Sequence, residues 1–408
     1  MVCTDGLRTS ERATERTVVL LIALVQFVNI LDFVMVMPLG PDFARALQID
    51  DGQLGYLGGS YTAAAGLAGL VLAPLLDRFD RRWVLCVAML GLVAGTAAGA
   101  LATGLPSLLA ARIVAGFFGG PATSSALAIV ADVVPNERRG RAMGVVMAAF
   151  SIASILGVPM GLFVARIGSW RTPFWSLGLF GALVTVGCVA LLPPMVHHLT
   201  DEQRRPTSVG AMLARSEVRW SYVMTAAVMM SGFAIIPNIS AYIQGNLGYS
   251  RNTLETLYAM GGVASFVAMH TAGRLVDATR PLIAGSVGVV GFSLVVLGMF
   301  VWPVESVGVF FVCFMTVMAL RNVAHQTLAS RVPEAQERGR FMSLQSAIGH
   351  LAGAAGAFGS SQILLTLPGG RIGRIEEVAW WSIGIALLIP VAMAIVESKL
   401  AARRAATV

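Results

Sequence analysis

The sequence predicts an all-α membrane protein of twelve transmembrane helices, arranged as two six-helix pseudo-repeats. Three observations carry this expectation: scarce charge, long apolar runs, and internal matches at a shift of 199–200 residues. Of 408 residues, 56% are hydrophobic and 12% are charged, against about 25% charged in an average soluble domain. A soluble fold this apolar would have to hide more surface than one core holds. The apolar residues come in runs long enough to cross a bilayer, which takes about 20 helical residues. Thr17 to Leu39 is the first such run, with a single charge in it.

Read between their breaks, the runs give twelve spans: 17–39, 52–76, 83–104, 106–131, 142–166, 171–193, 218–245, 253–277, 282–303, 306–330, 341–366 and 377–397. Gly104-Leu105-Pro106 is the short break between the third and fourth. The longest polar stretch, Met195 to Glu217, divides the chain into an N-terminal bundle (1–194), a linker (195–217) and a C-terminal bundle (218–408). The halves echo each other. Arg139-Gly140-Arg141-Ala142-Met143 after span four matches Arg338-Gly339-Arg340-Phe341-Met342 after span ten. Leu75-Leu76-Asp77 after span two is echoed by Leu275-Val276-Asp277 after span eight. A duplicated six-helix unit suits a transporter, because two similar halves can rock about a central site.

The net charge of +7 sits in short turns between apolar runs, which argues against a nucleic-acid surface. With the N-terminus inside, 21 Lys and Arg fall on the cytoplasmic side and six on the other. That asymmetry predicts cytoplasmic termini. Arg8, Arg12 and Arg16 precede a first run that is too long for a signal peptide and has no small-residue cleavage site. The expected location is a bacterial inner (cytoplasmic) membrane, with multiple passes. Cys3, Cys86, Cys188 and Cys313 are scattered and form no disulfide or metal framework. No nucleotide loop, catalytic cluster or metal-spaced set occurs, so no enzyme activity, cofactor or metal is expected.

Three stretches carry a family resemblance. Asp77-Arg78-Phe79-Asp80-Arg81-Arg82 resembles the loop between helices two and three of the major facilitator superfamily, Gly-x-Leu-Ala-Asp-Arg-x-Gly-Arg-Lys/Arg. Asp77, Arg78, Arg81 and Arg82 match, while Ala73 and Asp80 stand at its glycines. Leu108 to Gly116 resembles the helix-four motif Leu-x-x-x-Arg-x-x-Gln-Gly, with Arg112 and Gly116 matching and Ala115 at the glutamine. Gly157-Val158-Pro159-Met160-Gly161 resembles the Gly-Pro antiporter motif of helix five, in the form of arabinose-efflux-like members. The resemblance covers essentially the whole chain and points to the drug:proton antiporter group. It implies alternating access around a cavity lined by helices one and four. It also implies proton-coupled export of small organic molecules, and a conformational latch made by Asp77, Arg78, Arg81 and Arg82. The expected partners are a small-molecule substrate, protons and the lipid bilayer, with no nucleic acid, and a functional monomer.

A charge within a span costs roughly 2.5–3.5 kcal/mol on insertion scales, so the three clear cases are candidates: Asp32, Arg112 and Arg321. Asp32 lies about 10 Å and Arg112 about 9 Å from the outer ends of their spans at the helical rise. An ion pair at matching depth would offset the burial cost and respond to a proton reaching the carboxylate. Gln26 and Asn29 recur with Asp32 at helical spacing, and Phe33 adjoins it. These three are expected to line the substrate cavity, although a hydrogen-bonded seam inside the bundle has the same spacing. Arg321 and His325 share a face of span ten. They suit a polar or anionic substrate group, a proton relay, or interhelical bonding. The competing readings are an uptake symporter or facilitator for sugars, organic acids or amino acids, and a non-transporting sensor or scaffold. The helix-five motif disfavours the first, and the buried charges disfavour the second.

Overall fold

Proline, glycine and short polar turns cut the apolar runs into helices. The computed structural model describes residues 3–76, 78–195, 209–302, 306–334 and 337–405. α1 (Cys3–Met35) is followed by a short α2 (Gly40–Leu47), which closes on Gln48 in the left-handed region (φ 54°). α3 (Leu54–Leu76) follows a one-turn 3-10 helix. α4 (Arg81–Ala100) is capped by Asp80, whose carboxylate accepts from the Arg82 N–H at 2.9 Å. α5 (Leu105–Val133) opens with Pro106 in its first turn, where a missing N–H costs nothing.

α6 (Asn136–Ile152), a π-helical turn (Ala153–Gly157) and α7 (Val158–Ile167) form one span. The Val158 N–H bonds five residues back to Ala153 O, and Pro159 offers no N–H, so the wider turn accommodates the proline. α8 (Thr172–Leu191) ends the first half. α9 (Val209–Ala214) leads into α10 (Ser216–Ile235), which continues as α11 (Ile239–Gly245) after a 3-10 turn at Pro237. α12 (Leu254–Ala278), α13 (Pro281–Phe300), α14 (Val307–Ala329) and α15 (Arg338–Ile363) follow. The chain ends with α16 (Ile375–Ala386) and α17 (Leu388–Ala405), which make one span bent just ahead of Pro390.

Among the described residues, nine helical stretches are long and apolar enough to cross a membrane. The glycine-bearing α3, α12 and α15, of 23, 25 and 26 residues, complete the twelve. The first predicted span, 17–39, overran: α1 stops at Met35, and the chain turns into α2 after Pro38. The eleventh, 341–366, also overran. α15 ends at Ile363 and gives way to an antiparallel hairpin of β1 (Leu365–Leu367) and β2 (Arg371–Gly373). Gly369 and Gly370, at φ 84° and 74°, make its turn. Most of the expected linker, residues 196–208, lies outside the described residues.

The helices pack as two bundles. In the first, α4 packs on α5 and α8, α3 on α5, and α1 on α5, α6 and α8. In the second, α13 packs on α14 and α17, α12 on α14, and α10 on α15, α16 and α17. The bundles meet where α3 crosses α15 and α7 crosses α12. The face holding both chain ends is called the terminal face, and the opposite one the hairpin face.

The bundles are closed at the hairpin face. A Cβ on Gly55 would stand 2.4 Å from Ala357 O, and one on Gly59 2.4 Å from the Phe358 ring. Among the described residues, Gly69 and Gly273, further toward the terminal face, meet nothing within 4 Å. Ion pairs add to the closure: Arg251–Asp42 at 2.6 Å and Arg166–Glu255 at 2.8 Å both join the two halves. The β-hairpin straps across the same face. Asn246 pairs with Ile372 backbone groups at 2.8 Å, and the Gly52 N–H donates to Thr366 Oγ1 at 3.2 Å.

Candidate functional site

Asp32 on α1 and Arg112 on α5 form an ion pair inside the first bundle. Arg112 Nη1 donates to both carboxylate oxygens at 3.1 and 3.0 Å, and Nη2 reaches Asp32 O at 3.3 Å. The Thr96 hydroxyl on α4 donates to Asp32 Oδ1 at 2.7 Å. Both charged side chains are buried, at 0% and 2% exposure, so the pair meets little screening. Such a pair is costly to desolvate and strongly destabilising to break one-sidedly.

The pair is connected to the other bundle through aromatic rings. The Arg112 guanidinium lies 4.5 Å from the centre of the Tyr61 ring. Tyr61 packs on Phe33 at 5.1 Å between centroids, and Phe33 on Phe233 of α10 at 5.6 Å. Gly116, the motif glycine one turn from Arg112, lets Tyr61 approach: a Cβ there would stand 2.2 Å from Tyr61 O. Gly157 and Gly161 of the helix-five motif do the same against α1. Their Cβ positions would lie 2.9 Å from Leu31 and Met35, which flank Asp32.

The remaining expected cavity residues sit inside helix packing in this conformation. Asn29 donates to Gly119 O at 2.7 Å and to Thr123 Oγ1 at 2.8 Å, and accepts from the Tyr61 hydroxyl at 2.8 Å. Its amide thus joins α1, α3 and α5. Gln26 is buried, and its Oε1 has no hydrogen-bond partner among the described residues.

In the second bundle, Arg321 is wholly buried. It donates to Ser231 Oγ at 3.0 Å and Val228 O at 3.2 Å, and lies 4.4 Å from the Phe292 ring centre. No carboxylate pairs with it among the described residues, and its Nε has no partner. His325, one turn on, shares a 2.9 Å hydrogen bond with Thr225 Oγ1. Both residues are enclosed between α14 and its neighbours, so neither lines an opening here.

Of the loop motif, Asp77 lies outside the described residues. Arg78 is exposed. Arg81 bonds Asp132 at 2.5 Å and Ala128 O at 3.1 Å at the end of α5, and Arg82 donates to Val189 O of α8. These contacts stay within the first bundle. Helical spacing along single spans gave no sign of Thr96, Tyr61 or Phe233. The one signal for Tyr61 was an aromatic ring set in the small-residue stretch Gly58-Gly59-Ser60-Tyr61-Thr62.

Two helical bundles meeting about a face-selective closure, with opposite charges buried in one of them, define a multi-pass membrane transporter. The sequence profile of the Major Facilitator Superfamily matches residues 22–357, and the chain belongs to that family; it is a transporter, not an enzyme. The chain is 27% identical over 267 residues to a chloramphenicol resistance protein of Streptomyces lividans. That alignment spans 63% of this chain and 67% of that one. The structure is similar to a bacterial homologue of the human lysosomal transporter Spinster (TM-score 0.73, 17% identity, 95% of this chain and 97% of that one). It is also similar to a D-xylose–proton symporter (TM-score 0.72, 16% identity, 92% and 96%). At these identities the structural likeness shows the fold alone.

Proposed function

We propose that this transporter exports small organic molecules in exchange for protons across a bacterial cytoplasmic membrane. The halves 1–194 and 218–408, joined by the 195–217 linker, rock about a central site, with the terminal face toward the cytoplasm. The observation that carries the reading is the buried Asp32–Arg112 pair, joined through Tyr61 and Phe33 to Phe233 of the opposite bundle. Burial favours a neutral carboxyl, whereas an adjacent guanidinium favours the carboxylate. A proton arriving at Asp32 removes its negative charge and turns one of the two acceptor oxygens into a hydroxyl, which weakens its hold on Arg112. The guanidinium then readjusts on Tyr61, and the aromatic contact between bundles shifts with it. Losing the proton restores the pair. Arg321 and His325 hold α10 beside its break at Pro237, so their role is positioning. Arg81 and Arg82 stiffen the rim of the first bundle, with Asp77 and Arg78 assigned to the same latch by their motif. The helix-five motif and the chloramphenicol resistance relative support export.

The test is transport in proteoliposomes under an imposed pH gradient, with chloramphenicol as the first substrate in a panel of antibiotics, dyes and metabolites. Asp32→Asn is expected to lose accumulation against a gradient while keeping downhill exchange. Wild-type accumulation by that variant would remove Asp32 from coupling. Substrate movement in the same direction as protons would replace export with uptake.

A further inference from the structure

At the terminal face of the second bundle, away from the central path, a cleft of about 250 Å³ opens between the α12–α13 turn, α14 and α17. Its walls are apolar: Val276, Pro281, Leu328, Leu400 and Ala401. Its polar rim is Thr279, Arg280, Arg331 and Glu397. We propose that this cleft binds the phosphate headgroup of an anionic phospholipid.

The charge balance favours an anion. Glu397 is already neutralised: Oε1 accepts from the Leu282 N–H at 2.8 Å, capping α13, and Oε2 forms an ion pair with Arg280 Nη2 at 3.0 Å, although it has no hydrogen-bond partner among the described residues. Arg280 remains 67% exposed and keeps donors beyond that one contact. Arg331 is exposed and has no ion-pair partner among the described residues. The nearby acid Glu334 is already taken by Arg215 and Arg403. Two guanidiniums therefore flank the opening, one of them uncommitted, and their planar donor forks match phosphate oxygens.

The position favours a lipid over a soluble phosphate. The cleft lies where α12 and α13 meet the terminal-face boundary. Leu275, Ile283 and Val287 are exposed along those helices, offering an apolar track to acyl chains. Basic pockets between membrane helices at this level are suited to anionic headgroups.

The test uses the full-length protein in detergent, titrated with short-chain phosphatidylglycerol, phosphatidylcholine or glycerol phosphate, and followed by thermal unfolding and native mass spectrometry. A ligand that binds only the folded state raises the melting temperature. Phosphatidylglycerol is expected to raise it and remain bound in the mass spectrum, with phosphatidylcholine and glycerol phosphate giving neither effect. Binding should weaken roughly fivefold for each arginine removed in Arg280→Ala and Arg331→Ala. Arg331 is exposed and has no ion-pair partner among the described residues, so Arg331→Ala tests the site even if loss of the Arg280–Glu397 pair harms folding. Equal stabilisation by glycerol phosphate, or undiminished lipid binding in folded Arg331→Ala, overturns the proposal.

Discussion

Arg112 is held by three hydrogen bonds to one residue and by one ring, and Asp32 by one cation and one hydroxyl. Such mutual dependence makes single truncations severe. Arg112→Ala is expected to destabilise the protein by about 3–5 kcal/mol, because it strands a buried carboxylate. Adding Asp32→Asn should recover part of the loss. Thermal unfolding in detergent measures both; additive losses in the double variant would mean the two side chains are not energetically coupled. Depth along each helix can be read from residue spacing, which is why Asp32 and Arg112 stood out together. Spacing gives no bearing around the helix axis relative to neighbours. Asn29 and Arg321 were therefore readable as candidates, but their enclosure among α1, α3 and α5, or α10 and α14, was not. Both the cavity and the seam readings predict the same spacing, and only packing separates them.

The twelve spans were legible because each is a long apolar run with at most a few charges, and the repeat led to the expectation of two halves. The hairpin and α2 were not. Both are short, and both are stabilised by contacts distant in sequence: Asn246 with Ile372, Gly52 with Thr366 and Asp42 with Arg251. This strap has a titratable element. Burial raises the Asp51 pKa above 3.8, with Arg45 opposing and Asp50 adding to it, and its carboxylate lies beside Gly370 of the hairpin turn. A closed hairpin face therefore binds that proton more tightly than an open one. Closure gains stability as pH on that side falls through the raised value toward 3.8, and carries a constant cost once Asp51 is ionised. Asp51→Asn should favour the closed hairpin face at neutral pH. Electron–electron distances between spin labels on α2 and the hairpin would show it as a growth of the short-distance population; a shift to longer distances would refute the role.

At the scale of the whole molecule, the two bundles do not carry the same buried charge. The first holds a neutral pair, Asp32 with Arg112, whereas in the second Arg321 pairs with no carboxylate among the described residues. A membrane potential exerts no net force on the first until Asp32 takes a proton, but it always acts on the second. One elementary charge carried across the full potential corresponds to about 2.3 kcal/mol per 100 mV, and a rocking bundle carries its charge through a fraction of that drop. If the bundles rock as proposed, the second bundle is expected to sense voltage modestly, and the return of the empty carrier to be electrogenic independently of proton coupling. Arg321→Met removes the charge while roughly keeping the side-chain length, so it is the informative variant, provided thermal unfolding shows that it folds. On a solid-supported membrane, the transient current of substrate-free protein should persist in Asp32→Asn and vanish in Arg321→Met. A transporter built this way would run at a rate set by the cell's electrical polarisation as well as by its pH gradient.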